Sequence, residues 1–240
     1  MAGRVAYTGG LSSRDLVFNL DPARRNSYLG YGTVCTDLSS RYTGSLDNGL
    51  SWSSNNKGIF TFDGTDDSLN LGTNTPNLYP KTNSYTWCAW LKFPDNANFR
   101  QIWYGNAGGG NLGFGIILRN SGGQNRIQIE VRGNAGAGVR QQTLYPVASY
   151  ADQWKYWSIT LDATTFIQTT YVNATSLGTA SLSDWGSIVQ QSSQPLTIGS
   201  YSGSQWYYDG SIGPIHTYYR ALSAADILQN YNATKGRFGL

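Results

Sequence analysis

Apolar and polar residues alternate with a period of two along much of this chain. In "YTWCAWLKF" every second residue from Tyr85 to Phe93 is apolar, and in "RIQIEVRG" Ile127, Ile129 and Val131 share one face. The segment "WKYWSITLD" follows the same rule. Side chains of a β-strand point alternately to its two faces, so each of these segments predicts a half-buried strand.

Other strand-like segments, such as "DLVFNLD", "GIFTFDG", "FGIILRN" and "TFIQTTYVN", are separated by clusters of Gly, Asn and Ser. These residues turn the chain because Gly tolerates positive φ, and Asn and Ser bond nearby backbone groups. Many short strands with turn signals between them are typical of an all-β sandwich or barrel.

A single helix is predicted near the C-terminus, within residues 223–235. Ser223 followed by Asp226 forms a capping-box pattern, and Leu222 stands where a hydrophobic staple residue would lie. Gly236 is expected to end the helix. One apolar stripe suits packing against a sheet, so the helix is interpreted as a packing element.

Composition narrows the classes of partner. The chain has 240 residues, which suits one large all-β domain, and only 13% of them are charged. The net charge is +3, and no basic run is longer than Arg24-Arg25. Such a thin positive charge gives little drive toward nucleic acid, so no nucleic-acid partner is expected.

Targeting signals and cysteines add two further expectations. No apolar stretch approaches the ~20 residues of a membrane span or the pattern of a signal peptide. Neither a membrane partner nor export by a cleaved signal is therefore expected. Without a secretory signal, Cys35 and Cys88 are predicted to be two reduced, buried thiols.

The chain resembles the laminin-G-like domains of the concanavalin A-like lectin/glucanase superfamily over nearly its whole length. The resemblance is carried by "DLVFNLDPARRNSY", "GIFTFDGTDDSLNL", "YTWCAWLKF" and "YDGSIGPIHTYYRALSAADILQNYNATKGRF". Its two ends look most similar to single-domain versions in tailed-bacteriophage virion proteins. The resemblance implies an all-β fold, a two-sheet antiparallel jelly-roll sandwich with one short C-terminal helix.

That fold fixes the expected organisation. An N-terminal arm, residues 1–15, precedes a jelly-roll domain, residues 16–240, with a core between the sheets. The core is predicted to contain Phe62, Trp87, Ile129, Trp157 and Ile198. The chain departs from the family pattern at one hairpin: relatives carry Asn-Gly where this chain has Asn173-Ala174, so a longer or irregular loop is expected there.

Catalytic groups are sparse. Glucanases of the superfamily use paired carboxylates, and retaining hydrolysis needs two of them roughly 5 Å apart. Glu130 is the one glutamate in the chain, and its position suggests a solvent-facing or ion-paired group. The chain has one histidine, His216, and no Gly-x-Ser-x-Gly motif that would present a serine nucleophile to it. One histidine and two widely separated cysteines are too few ligands for a zinc site. No enzymatic activity and no cofactor are expected, with calcium as the one candidate.

The acidic segment "FDGTDDSLNL" has two interpretations. Laminin-G-like folds often place calcium at the sandwich rim, which makes Asp66, Asp67 and Asp209 candidate ligands. Alternatively, Asp63-Gly64 and Asp209-Gly210 are matched turns at strand ends, because "FDGT" and "YDGS" agree in residue type.

The loop "SYSGSQWYYDG" gathers the other candidate residues. Tyr201, Trp206 and Tyr207 offer large contact area with few rotatable bonds, which suits a ligand or a protein interface. The structural alternative is that Trp206 and Tyr208 fold back to cap the core.

The resemblance implies a virion structural protein, either a capsid decoration or a neck or tail appendage. Such a protein is made in the host cytoplasm, contacts other virion proteins and forms a homo-oligomer on the particle. The alternative is a carbohydrate-binding module, on a phage fibre or as a host-surface lectin, that recognises host-surface polysaccharide.

Overall fold

The computed structural model describes residues 10–75, 78, 80, 83–95, 99–108, 111–132, 140–182 and 195–240. Within these residues, sixteen strands form two antiparallel sheets of eight strands each. The predicted all-β jelly-roll sandwich is therefore confirmed. The first nine residues of the predicted arm lie outside the described part, so the boundary at residue 15 stays a prediction.

One sheet, named sheet A, is built around the long strand β16 (Asp209–Tyr218), which pairs with three other strands. Its order from edge to edge is β14 (Thr175–Ser181), β13 (Ile167–Val172), β12 (Lys155–Asp162), β7 (Tyr85–Lys92), β16 (Asp209–Tyr218), β5 (Ile59–Asp63) and β4 (Ser51–Ser53). The eighth strand, β1 (Leu16–Leu20), also pairs with β16.

The other sheet, sheet B, has the order β11 (Arg140–Pro146), β10 (Gln124–Arg132), β9 (Asn111–Ser121), β8 (Arg100–Gly108), β15 (Thr197–Ile198), β6 (Ser68–Asn70), β3 (Thr43–Asp47) and β2 (Val34–Thr36). The long strands β8, β9 and β10 follow one another as hairpins, so they lie side by side.

The core lies between the two sheets and contains all five predicted residues, each at most 2% exposed. Trp87 of sheet A meets Trp103 of sheet B edge to face, with ring centroids 6.2 Å apart. Burying one large apolar side chain contributes about 1.5–3 kcal/mol, so this layer of rings accounts for much of the sandwich's stability.

One helix, α1 (Ala224–Thr234), packs on the outer face of sheet A, as predicted. The Ser223 and Asp226 side chains form the full capping box. Asp226 also accepts two bonds of 2.9 Å from the guanidinium of Arg220. The bonds from Arg220, followed by those from Ser223 and Ser12, hold the pKa of Asp226 below its usual range. The Asp226 carboxylate of the capping box is therefore ionised at neutral pH.

The α-helix ends at Thr234, with Lys235 as its C-cap, so it lies within the predicted range and stops before Gly236, as predicted. The chain then continues as a 3₁₀ turn, Lys235–Phe238, and the left-handed residue that ends this turn is Gly239. The turn brings the ring of Phe238 onto Trp90, with centroids 4.1 Å apart and planes 15° apart. Packing against Trp90 therefore accounts for the added turn.

The half-buried interpretation of β7 is also wrong, because this strand is buried on both faces. Trp87 faces the core, while Cys88 and Trp90 face a second cluster under the helix, and all three are fully buried. Trp90 Nε1 donates to Thr234 Oγ1 at 2.8 Å, which ties the strand to the end of α1.

The hairpin between β13 and β14 is tight. Asn173 and Ala174 both have positive φ, 50° and 64°, as a type I′ turn requires. The longer loop expected there is therefore wrong. The side chain of Asn173 accepts a 2.9 Å bond from the Tyr156 backbone N–H, which holds the turn without a glycine.

Both cysteines are buried and free, as predicted. Burial raises the pKa of Cys35 to about 12 and that of Cys88 to about 11. Thiols with such pKa values are poor nucleophiles. Among the described residues, no helix is both long and apolar enough to cross a membrane.

Candidate functional site

Four aromatic rings form a continuous row on the outer face of sheet B, which we call the aromatic ladder. Tyr104 contacts Tyr201 at 4.3 Å between centroids, Tyr201 contacts Trp206 at 4.6 Å, and Trp206 contacts Phe99 at 5.3 Å. Tyr104 is buried at the base beside Ile117, and Phe99 is 40% exposed. The ladder thus runs from a buried anchor to an exposed end.

The position of Trp206 depends on its backbone. Its φ is +56°, a left-handed conformation that costs a bulky residue on the order of 1 kcal/mol or more. The Gln101 N–H donates to the Trp206 carbonyl at 2.7 Å, which fixes the loop against β8. This conformation places the ring of Trp206 between Tyr201 and Phe99.

The other two aromatic residues of the loop lie elsewhere. Tyr208 is fully buried in the core, meets Phe62 edge to face at 5.6 Å, and donates to the Lys92 carbonyl. Tyr207 is half-buried, and its hydroxyl donates to the Gly203 carbonyl at 3.2 Å. Of the predicted residues, Tyr201 and Trp206 therefore join the ladder, whereas Tyr208 caps the core.

Sequence reasoning missed Phe99 and Tyr104. Both lie about a hundred residues before the loop, and strand pairing of β8 with β15 brings them to it. Alternation along β8 would place Tyr104 on the outer face of the strand. No feature of the sequence around Phe99 indicates that this ring contacts Trp206.

Polar groups continue the same face beyond Phe99. The Arg119 guanidinium lies 4.9 Å from the Phe99 ring centroid, and it donates to Gln128 Oε1 at 3.0 Å. Gln128 in turn donates to Glu130 at 2.8 Å. Arg126 lies directly opposite Arg119 on the next strand. We call the ladder together with Arg119 and Arg126 the ladder face.

Glu130 is not solvent-facing, contrary to the prediction. It is fully buried, on the outer side of β10, and Gln128 engages its carboxylate. Retaining and inverting hydrolysis both need a second carboxyl group across a substrate. Glu130 is the one glutamate in the chain, so the pair of glutamates typical of the glucanases is absent from the sequence.

The acidic segment brings together Asp63, Asp66 and Asp67, whose ligand oxygens lie within 4.8 Å of one another. Asp209 is not in this group, although it pairs with Asp63 across β16 and β5. The two Asp-Gly pairs thus occupy matched strand ends, as the turn interpretation expects.

Turn bonds occupy part of the cluster. Asp63 Oδ1 accepts from the Thr65 N–H at 2.7 Å, and Asp67 Oδ2 accepts from the Asp63 N–H at 2.9 Å. Burial, followed by repulsion from Asp63 and Asp66, raises the pKa of Asp67. Three carboxylates at this spacing are also a donor set that suits calcium. The backbone bonds explain the cluster without a cation.

We expect Asp67→Asn to raise the Tm by roughly 2 °C at neutral pH, in calcium and in chelator alike. Its raised pKa means that the ionised form is disfavoured in the folded state, and asparagine still accepts the Asp63 N–H. Thermal unfolding of both proteins in the two buffers measures this. A calcium-dependent rise in wild type that Asp67→Asn abolishes would instead establish a calcium site.

The one histidine lies far from these groups. His216 is 1% exposed, pairs with Asn19 across β16 and β1, and lines a cavity of about 260 Å³. Burial lowers its pKa to about 4, an effect that Asp21 opposes and Arg237 reinforces. Neutral His216 is therefore part of the folded state.

Stability should fall as the pH drops from 6.5 toward 4, because only the unfolded chain then binds the His216 proton. The expected loss is roughly 3 kcal/mol, and the single histidine dominates this window. Urea unfolding across the window measures it. His216→Gln should flatten the slope, so an equal slope in that variant would contradict the assignment.

A second exposed apolar group lies beside the edge of sheet B. Leu29, Tyr31 and Val34 are 55%, 72% and 59% exposed. At Thr36 the backbone edge of β2 is covered, because the Thr36 N–H donates to the Ser27 carbonyl and the Ser27 hydroxyl donates to the Thr36 carbonyl, both at 2.8 Å.

Comparison with known proteins agrees with this architecture. A family profile described as "Concanavalin A-like lectin/glucanases superfamily" matches residues 63–228, more than half of the chain. No curated protein matches the sequence.

The solved structures with a similar fold include binding domains of botulinum neurotoxins and of a mosquitocidal protein. The botulinum neurotoxin serotype D binding domain has a TM-score of 0.68 at 15% identity, covering 90% of this chain and 50% of that one. For the binding domain of Paraclostridial Mosquitocidal Protein 1 the TM-score is 0.67 at 15% identity, with coverages of 91% and 52%. The binding domain of botulinum neurotoxin DC, in complex with rat synaptotagmin II, gives 0.66 at 15% identity, with coverages of 92% and 52%. This chain thus spans about half the length of these structures, and at such identity the likeness concerns the fold.

Proposed function

The chain belongs to the concanavalin A-like lectin/glucanase superfamily, and from that membership we propose that it is a non-enzymatic binding protein of a tailed-bacteriophage particle. In this proposal it is a capsid decoration or a neck or tail appendage, it is made in the host cytoplasm, and it contacts other virion proteins through the ladder face. No cofactor is part of the proposal.

The observation that carries the proposal is the geometry of the ladder. Phe99 is exposed, and Tyr201 and Trp206 are half-buried. The ring planes turn by 35° between Phe99 and Trp206 and by 59° between Trp206 and Tyr201. Each ring lies against its neighbour, and Arg119 lies beside Phe99. A sugar chain needs free, flat ring faces for stacking, whereas clustered aromatic and arginine side chains are typical anchors of protein interfaces.

The lack of catalytic groups supports a binding role. Glu130 is fully buried, and Gln128 donates to its carboxylate. His216 is enclosed on the opposite sheet, and the thiols of Cys35 and Cys88 are held protonated by burial. A chain of this kind acts through shape and surface.

The placement on a phage particle rests on the resemblance of the two ends of the sequence to phage virion proteins. A surface with few charges costs less to desolvate, which suits permanent contacts. The exposed group Leu29, Tyr31 and Val34 gives the protein a second contact region. Repetition as a homo-oligomer on the particle would strengthen weak contacts through avidity.

The second candidate is recognition of a host-surface receptor, such as a polysaccharide. It is favoured by the binding domains that share the fold, one of which is named as a receptor binding domain. Under this alternative the ladder face would point outward from the particle and a few copies would lie at fibre tips.

Mass spectrometry of purified particles tests the proposal. We expect the chain at a fixed ratio to the major capsid protein after sedimentation and washing. Its presence as free protein in the infected cell, with none in washed particles, would rule out the virion role.

A further inference from the structure

We propose that the partner segment bound by the ladder face is an acidic stretch of protein chain whose carboxylates bind Arg119 and Arg126. This inference rests on the proposed function and specifies the chemistry of its partner. It follows from the pairing, the unused donors and the surroundings of the two arginines.

Arg119 and Arg126 are directly opposed in the register of β9 and β10. Both face outward, because their neighbours Leu118 and Ile127 are in the core. Residues opposed in this way have Cβ atoms about 4.5–5.5 Å apart, and like charges at that distance repel. In the described part of the chain, neither arginine forms an ion pair. An anionic group between them would relieve the repulsion.

Both guanidinium groups retain unused donors. Arg119 donates to Gln128, and Arg126 donates to Gln124 at 3.2 Å. The Nε atom of each is buried and has no partner. These Nε atoms are enclosed, so a partner's carboxylate would bind the remaining N–H groups of each guanidinium, whose fork matches a carboxylate with two bonds. The Nε of Arg100 nearby is also buried and without a partner, but its Nη1 already donates to the Gly64 and Tyr207 carbonyls.

Acidic groups near the pair are engaged elsewhere. The Gln128 side chain donates to the carboxylate of Glu130, which lies two residues further along β10. Asp95 accepts from the Asn125 side chain at 2.7 Å. Neither lies within ion-pair distance of Arg119 or Arg126 among the described pairs. The positive charge of the pair therefore remains available to a partner.

The neighbouring ladder favours a protein segment over an acidic polysaccharide. Phe99 connects the arginines to Trp206: the Arg119 guanidinium lies over its ring, 4.9 Å from the centroid, and the Phe99 and Trp206 planes are tilted by 35°. Aromatic side chains clustered with an arginine are typical anchors of a protein interface. A segment that alternates acidic and apolar residues would use both halves of the face.

The experiment uses particles assembled without this chain and adds back the purified protein. Arg119→Gln with Arg126→Gln is compared with Arg14→Gln and Arg25→Gln, exposed arginines away from this face that give the same change in net charge. We expect the ladder-face variant to lose roughly a hundredfold in affinity, about tenfold for each arginine, and the control variant to stay near wild type. Binding of wild type should also weaken with salt.

A defined probe separates the partner classes. A peptide of alternating glutamate and serine should bind wild type, with loss in the ladder-face variant, while its glutamine counterpart should not. If the particles bind both arginine variants equally but reject Trp206→Ala, the virion role stands and the acidic partner is wrong. If polygalacturonate binds through the arginines and the glutamate peptide does not, the inference is overturned in favour of a glycan. Particles that bind every variant alike would contradict both this inference and the proposed interface.

Discussion

Replacing Gly199 by alanine is expected to destabilise the protein by about 4 kcal/mol. Gly199 follows β15 with a φ of +85°, where a side chain is strained. An added Cβ would overlap Cε1 and Cδ1 of Phe62, a buried core residue. The Gly199 N–H and carbonyl also bond Ile102 and Tyr208, so the backbone has little freedom to move away.

Gly203 supplies a matched control for that substitution. It also has positive φ, +70°, but no atom lies within 4 Å of the position of an added Cβ. Gly203→Ala should therefore cost only the backbone strain, roughly 1 kcal/mol. Urea unfolding of the two variants separates strain from overlap with Phe62. Equal losses would mean that Phe62 moves aside and that the core at this point is not tightly packed.

Substituting Trp206 by alanine should reduce binding of the purified protein to chain-free particles about a hundredfold. Trp206 lies between Tyr201 and Phe99, so its removal opens the middle of the ladder. The residue is half-buried and outside both sheets, and the overall fold should persist. Circular dichroism of the variant verifies this before binding is measured.

Tyr207→Ala is the control for the Trp206 result. Tyr207 is the adjacent aromatic residue and is also half-buried, but its hydroxyl donates to the Gly203 carbonyl, outside the ladder. We expect a change in affinity of less than about threefold, as for residues around an interface hot spot. A Tyr207 effect equal to that of Trp206 would show that the loop as a whole, and not the ladder, makes the contact.

Alternation was sufficient to predict the sandwich and its core. Trp87, Ile129 and Trp157 were assigned to the inner faces from period two alone, and each is fully buried there. The capping pattern likewise placed α1, because Ser223 and Asp226 determine the helix start through bonds within four residues. Local chemistry was enough wherever the deciding contacts were local.

Burial on the outer faces could not be predicted in this way. Cys88 and Trp90 are covered by the C-terminal helix and turn, about 140 residues away, and no pattern in β7 indicates that cover. For the same reason the pattern suggests a solvent-facing or ion-paired Glu130, whereas its side chain is fully buried. Alternation identifies which residues share a face, but it does not tell what packs on that face.

The candidate site was predictable in part. The composition of the loop identifies Tyr201 and Trp206. Which aromatic residues of the loop join the ladder and which do not depends on the positive φ of Trp206. Phe99 and Arg119 join the face through strand pairing and a loop bond, which are tertiary contacts. The predicted calcium ligands are Asp66, Asp67 and Asp209, whereas the acidic cluster contains Asp63 in place of Asp209. The turn from Asp63 to Asp67 brings these carboxylates together, because the Asp63 N–H donates to the Asp67 side chain.

A cryo-electron microscopy reconstruction of the purified particle tests most directly whether the ladder face contacts another virion protein. We predict density for the two-sheet sandwich at a regular position, with Phe99 and Trp206 buried against a neighbouring chain and an acidic segment beside Arg119 and Arg126. A reconstruction in which the sandwich is present but the ladder face points into solvent, or in which no density corresponds to this chain, would contradict that role.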